Sequence, residues 1–235
     1  VVKLDAKKAA ARVKRWNAIA EGAAKQSKRM TVPKVHEVMT FRQALEAADT
    51  PSDEYDIKKW IYAPNFYSEY RYILGTRGCK PLICIGINPS TAKPDALDNT
   101  LKSVERIALV NGFDSFIMFN VYAQRATSPD DMEKVCNPLL HKENLKAFRY
   151  VLSLSEHPVV WAAWGAIIEK RKYLPDCLRD MLLAGEEYGA EWCCAGAISR
   201  KGHPHHPLYL RKDEKLRPFD VKAYLEPVSY THLTL

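Results

Sequence analysis

Four short stretches of this 235-residue chain hold residue types that do chemistry. They are GINPSTA at 86–92, Asn120 with Tyr122 and Arg125 after it, Trp164-Gly165, and GHPHHPLYL at 202–210. An asparagine amide carries both donors and an acceptor. Asn88 and Asn120 can therefore orient a water or read the edge of a pyrimidine ring, but an amide is no strong general base. Asn88-Pro89 reads equally as an Asx turn holding a strand-to-helix corner, and Asn120 as a buried cap of its loop. The triplet His203, His205 and His206 raises a metal reading. Its two prolines restrict which imidazoles can converge, and Asp95 or Asp98 would have to complete the set from another loop. Arg200, Lys201, Arg211 and Lys212 flank the segment and suit phosphates, or simply a solvated rim.

The elements that position these residues follow from the patterning. Tyr70 to Leu74 alternates and is aromatic, as an edge or half-exposed strand would be. Apolar runs at 81–87, 115–120, 159–164 and 191–194 read as four strands. Helical segments at 99–111, 128–135, 139–155 and 166–184 separate them, with SPDD at 128–131 as a helix start. This order implies a three-layer α/β sandwich around a central, mainly parallel four-stranded sheet. Upstream, an Ala-rich basic helix over 5–28 precedes a second helix opening at Thr40, where Thr40 and Gln43 form a capping box, and ending before TPSD at 50–53. The expected organisation is a basic helical extension over 1–50 and an α/β domain over 66–226. In open α/β sheets ligands bind outside the carboxyl ends of the strands, and all four chemical stretches follow strand ends.

Composition bounds the partners. The net charge of +7 is concentrated in residues 1–34, where ten Lys and Arg face only Asp5 and Glu21. That basic arm fits a polyanion, DNA or another nucleic acid, or a nucleotide, and also a solvated or partner-packing helix. No apolar run approaches the roughly 20 residues of a membrane span. The six cysteines include no CxxC pair, which fits reduced thiols in a cytoplasmic compartment and no bound metal or cofactor. The chain starts at Val1 rather than Met, so a native start further upstream is expected. Residues 228–235 resemble translated adapter sequence and are set aside as a non-native tail.

Together, GINPSTA (86–92), Asp98-Asn99-Thr100, Asn120 with Arg125-Ala126-Thr127, Ala163-Trp164-Gly165 and GHPHHPLYL resemble domain of unknown function family 1643, over roughly 68–212. More widely, the GxNP-type loop, the strand ending in Asn, the WG and the HP loop resemble the uracil-DNA glycosylase superfamily. That resemblance implies hydrolysis of an N-glycosidic bond in a flipped-out nucleotide. It places Asn88 at the attacking water and His203 at the departing base. Asn120, Pro89, Ser90, Tyr122, Trp164 and Gly165 fall around the base, and Arg125, Arg200, Lys201, His205, His206, Leu208 and Arg211 along the nucleic acid, with Leu208 as a wedge. His205-His206 stand where a short serine-bearing turn is expected, and the first motif ends in Ser-Thr rather than Gly, so the base pocket differs from that of uracil removal. A non-catalytic nucleic-acid or nucleotide-binding module is the alternative, and a His-metal hydrolase the third reading.

Overall fold

The computed structural model describes residues 39–226 except 53 and 67, together with residues 14, 15, 17–19 and 21, which are helical. The remainder of the expected 5–28 helix and the 228–235 tail lie outside the described residues. The first complete helix, α1 (Phe41–Ala48), opens with the capping box read from the sequence: Thr40 caps Gln43 and Gln43 bonds back to Thr40. It is part of the body rather than of the extension. Phe41, Ala44 and Ala48 are buried in the core, and the Phe41 amide donates to Glu143 at 2.8 Å.

Seven strands form one sheet in the order β1-β2-β4-β3-β5-β6-β7. They are β1 (Trp60–Ala63), β2 (Ile73–Thr76), β3 (Pro81–Gly86), β4 (Ser115–Asn120), β5 (Val159–Ala162), β6 (Glu191–Ala195) and β7 (Leu216–Pro218). The four expected strands make the parallel centre, β4-β3-β5-β6. Antiparallel β1 and β2 extend it at one edge and β7 at the other. The sheet is therefore wider than the expected four strands. The expected edge strand at 70–74 is also corrected: β2 lies between β1 and β4, and Arg71 through Gly75 are all buried.

Every residue of β3 and of β4 is buried, as near-continuous apolar runs require of strands covered on both faces. Alternate side chains serve the two layers. Ile83, Ile85, Ile117 and Phe119 pack beneath α1, α3 (Pro138–Leu152), α4 (Leu174–Glu187) and α5 (Val221–Leu225). Leu82, Cys84, Phe116 and Met118 pack beneath α2 (Asn99–Val110).

Two expected helices are redrawn. The 128–135 segment makes only a short 3-10 turn at Pro129–Asp131. The Arg171 guanidinium takes the carbonyls of Asp130 (2.7 Å), Met132 (2.8 Å) and Glu133 (3.1 Å), which a continuing helix would need for itself. The 166–184 segment splits into a 3-10 turn, Gly165–Lys170, and α4, because Pro175 is tolerated only in a first turn. Among the described residues no helix is long and apolar enough to cross a membrane.

Candidate functional site

β3 is the pivot of the sheet. The chain leaves it for β4 on one side through α2, then returns through α3 to β5 on its other side. The connections from β3 and β5 thus run to opposite faces, which opens a crevice at their carboxyl ends. The strand pairing continues past the strand ends and fixes the loops around it. Val121 N–H donates to Gly86 O (2.9 Å), Tyr122 N–H to Ile87 O (2.9 Å) and Ala163 N–H to Ile85 O (3.0 Å).

A cavity of about 90 Å³ occupies this crevice. Gly86, Ile87, Asn88 and Ser90 line it after β3, Met118 and Asn120 from β4, Trp164 and Ile167 after β5, and His206 from the histidine segment. Asp98, Thr100 and Leu101 at the start of α2 and Arg71 before β2 complete the wall. A Cβ on Gly86 would stand 2.6 Å from Met118 Cε and 3.2 Å from the Asn120 amide, so glycine there is what lets Asn120 lie across the cavity floor.

The two asparagines are held through their amide nitrogens. Asn88 Nδ2 donates to Ala126 O at 2.7 Å, tying the β3 loop to the loop after β4. Oriented to suit its surroundings, Asn120 Nδ2 donates to the carbonyls of Asn88 (3.2 Å) and Phe119 (3.3 Å). Asn88 Oδ1 has no donor among the described residues, and the Asn120 oxygen turns to the side where its surroundings offer donors. Asn144 of α3 supports the arrangement from below by donating to the carbonyls of Asn120 (3.0 Å) and Val121 (3.2 Å).

The histidine segment divides between two places. His206 lines the cavity, and its Nδ1 accepts from Leu208 N–H at 3.4 Å, so the proton sits on Nε2. Burial holds its pKa below the ordinary histidine value, against the pull of Asp98. His203 does not line this cavity. It is buried with Nδ1 accepting from the Tyr224 hydroxyl (2.8 Å) and Nε2 donating to Glu169 (3.1 Å), and it faces a separate open cleft of about 640 Å³. The Trp164 indole N–H donates to the same Tyr224 oxygen at 3.1 Å. His203 therefore reaches the cavity only through Tyr224 and Trp164. Hydrogen bonds from His203 and Lys201 hold the Glu169 carboxyl below its usual range. Because the histidines diverge, they form no metal set. Among the described residues no three His, Cys, Asp or Glu stand together as one.

The other expected site residues distribute as follows. Pro89 is buried and accepts Ala126 N–H at 3.2 Å. Tyr122 is buried on the far layer, its hydroxyl bonded to Glu133 and to Asn137 N–H, away from the cavity. Gly165 adopts φ +61°, and a Cβ placed on it would stand 3.6 Å from His206 Cβ. Arg125 stands behind the cavity, bonded to Ser90 O and to the Tyr62 hydroxyl. Arg200, Lys201 and Arg211 are exposed and His205 is half-buried. Leu208 and Tyr209 are exposed beside His206.

Arg71 and Thr100 escaped the reading for site residues, and Asp98 entered it only as a metal ligand. Asp98 caps α2, with Oδ1 accepting from Leu101 N–H (2.9 Å) and Oδ2 from Ser90 Oγ (2.6 Å). An arginine inside an otherwise apolar, aromatic strand run was the signal for Arg71.

Residues 71–208 match the family described as a protein of unknown function (DUF1643), a span containing every residue that lines the cavity. Residues 1–73 are similar to the family described as an RNA methyltransferase domain. No curated protein and no solved structure matches the chain.

Proposed function

Because the chain belongs to the DUF1643 family, whose matched span carries the whole cavity, we propose that this cavity receives a base of a nucleic acid or nucleotide, and that the chain hydrolyses its N-glycosidic bond as the uracil-DNA glycosylase superfamily does. One observation carries the reading: Asn88, Asn120, Trp164 and His206 line a single cavity at the β3/β5 crevice. Asn88 Oδ1 holds a water. That water attacks the sugar C1′ while the C1′–N bond breaks and its electron pair leaves with the base. The water proton passes to solvent, and the base acquires one in turn. The Asn120 oxygen reads a donor edge of the ring. His206, with its proton on Nε2, takes the place beside the departing base that the resemblance assigns to His203. With an amide in place of a carboxylate base, turnover is slow.

The size of the cavity limits how the base enters. About 90 Å³ is less than the roughly 150 Å³ cavity that encloses benzene. The base therefore inserts one edge and leaves the rest at the rim, where exposed Leu208 and Tyr209 offer an apolar filler and a stacking face. The basic 1–34 segment and the similarity of residues 1–73 to an RNA methyltransferase domain support a nucleic-acid partner.

A second reading, a non-catalytic nucleic-acid or nucleotide-binding module, is favoured by a different observation. Both asparagine nitrogens are bonded to main-chain carbonyls, and both oxygens of Asp98 are occupied. The test is incubation with DNA and RNA strands containing uracil, hypoxanthine or alkylated bases, scored for abasic sites. Abasic product lost in Asn88→Ala supports hydrolysis. Salt-dependent binding without product supports the module. Neither product nor binding overturns both.

A further inference from the structure

The cavity wall contains a buried cation whose hydrogen-bonding capacity is largely unused among the described residues. The Arg71 side chain is 1% exposed. Among the described residues it makes one hydrogen bond, from Nη1 to the carbonyl of Ala92 at 3.0 Å, and its Nε has no acceptor. Burial pushes the guanidinium down to about 9, with Arg125 nearby adding to the effect and Tyr62 and Asp98 opposing it, and it is still protonated at neutral pH. Buried polar groups in folded proteins are nearly always paired, and buried charges above all. The one carboxylate lining the same cavity, Asp98, already accepts from Ser90 Oγ and from Leu101 N–H.

The surroundings repeat the message. Thr100 lines the cavity, its hydroxyl without a partner among the described residues, at the start of the twelve-residue helix α2, where main-chain N–H groups favour negative charge. His206, with its proton on Nε2, lines the cavity from the histidine segment. Arg71, Thr100 and His206 thus bring donors to a space large enough for a few atoms, where the Asp98 carboxylate is committed to Ser90 and Leu101 and the Asn88 and Asn120 amides supply the other oxygens.

We propose that the cavity is an oxyanion site centred on Arg71. The group that enters as far as Arg71 carries negative charge on oxygen, and Arg71 is a catalytic residue that stabilises it. This rests on the hydrolysis proposed above, where that group is the departing base. As the C1′–N bond breaks, its electron pair delocalises through the ring onto a carbonyl oxygen beside the leaving nitrogen, and Arg71 faces that oxygen. The substrate class is then narrowed to bases bearing such a carbonyl, pyrimidine-diones and their relatives, rather than amino-substituted rings that leave as poorer anions. A phosphoryl oxygen of a nucleotide presents the same chemistry and is separated from the base by experiment.

The test is calorimetric titration of the full chain with three probes: barbiturate, a pyrimidine that is an oxyanion at neutral pH; uracil, its neutral counterpart; and inorganic phosphate. Barbiturate is expected to bind about 10- to 100-fold more tightly than uracil, as a hydrogen bond to a charged group warrants. Arg71→Gln is expected to remove that preference and Arg71→Lys to keep part of it. Phosphate binding that depends on Arg71, without barbiturate binding, assigns the oxyanion to a phosphoryl group and overturns the base assignment. Equal binding of barbiturate and uracil, or binding indifferent to Arg71→Gln in a protein with an unaltered unfolding transition, overturns the oxyanion site. Because binding is read without turnover, absence of glycosidic hydrolysis in the strand assay refutes the reaction while leaving this result legible.

Discussion

Replacing Arg71 by methionine separates a functional cation from a structural one, because the two predict opposite signs. A buried arginine that holds the fold together destabilises it when removed, by about 3–5 kcal/mol for a broken buried pair. Arg71 instead has a single acceptor, Ala92 O, and a buried Nε with none among the described residues. Its fall to about 9 corresponds to ~5 kcal/mol of unfavourable desolvation and repulsion by Arg125. The bond to Ala92 returns roughly 2 kcal/mol, since one partner is charged. Methionine has a similar length and an adaptable shape, so Arg71→Met is expected to stabilise the ligand-free protein by about 2–3 kcal/mol. For a chain of this size that raises the unfolding midpoint by roughly 4–12 °C. Thermal unfolding in a buffer free of phosphate and other polyvalent anions is the assay. Adding barbiturate should then raise the midpoint of the parent protein and leave the variant unmoved. A midpoint lowered by Arg71→Met would refute the reasoning and make Arg71 a structural residue.

The remaining predictions address the other walls of the site. His206 has a depressed pKa, so its contribution to stability is complete above the ordinary value of about 6.5 and is lost as pH falls through its lower folded value; His206→Gln should make the acid side of the stability profile shallower in pH-dependent melts. His203→Gln should cost about 1–2 kcal/mol because the buried Tyr224 hydroxyl loses its acceptor, while Glu169 keeps Lys201, and barbiturate affinity should change little; a variant that loses binding as completely as His206→Gln would return His203 to the site. Gly86→Ala should weaken ligand binding more than it weakens the fold, because the Met118 tip can swing away but the Asn120 amide cannot move without giving up its carbonyls; chemical denaturation and titration together read the split. Changing Lys7, Lys8 and Arg12 to glutamine in the full chain should lower the salt slope of nucleic-acid binding by about 2–3, if each contacts a phosphate.

The positions of the strands were legible because burial on both faces demands unbroken apolar runs, and Pro81–Gly86 and Ser115–Asn120 are such runs. Their order along the chain implied where the crevice would open, and so Asn88, Asn120 and Trp164 could be gathered before any coordinates. The choice between His203 and His206 was not legible. It depends on Tyr224 of α5, twenty-one residues beyond His203, which captures the first imidazole and leaves the other to the cavity. Arg71 was hidden for a different reason. With aromatic neighbours on an alternating run an arginine reads as the solvent-facing position, and only the loop after β3, whose Ala92 carbonyl takes its Nη1, and the start of α2 enclose it. Strands as short as Trp60–Ala63 and Leu216–Pro218 carry too few alternations to be distinguished from loops, and they are held by their neighbours rather than by their own pattern.

The central claim is that the cavity at the β3/β5 crevice accepts a base and breaks its bond to the sugar. Chromatographic measurement of free base released from uracil-containing single strands tests it most directly, with the parent chain beside Asn88→Ala. Slow release by the parent, abolished in Asn88→Ala while that variant still binds barbiturate, is the predicted result. Release at the same rate from both proteins, or from neither, would contradict it.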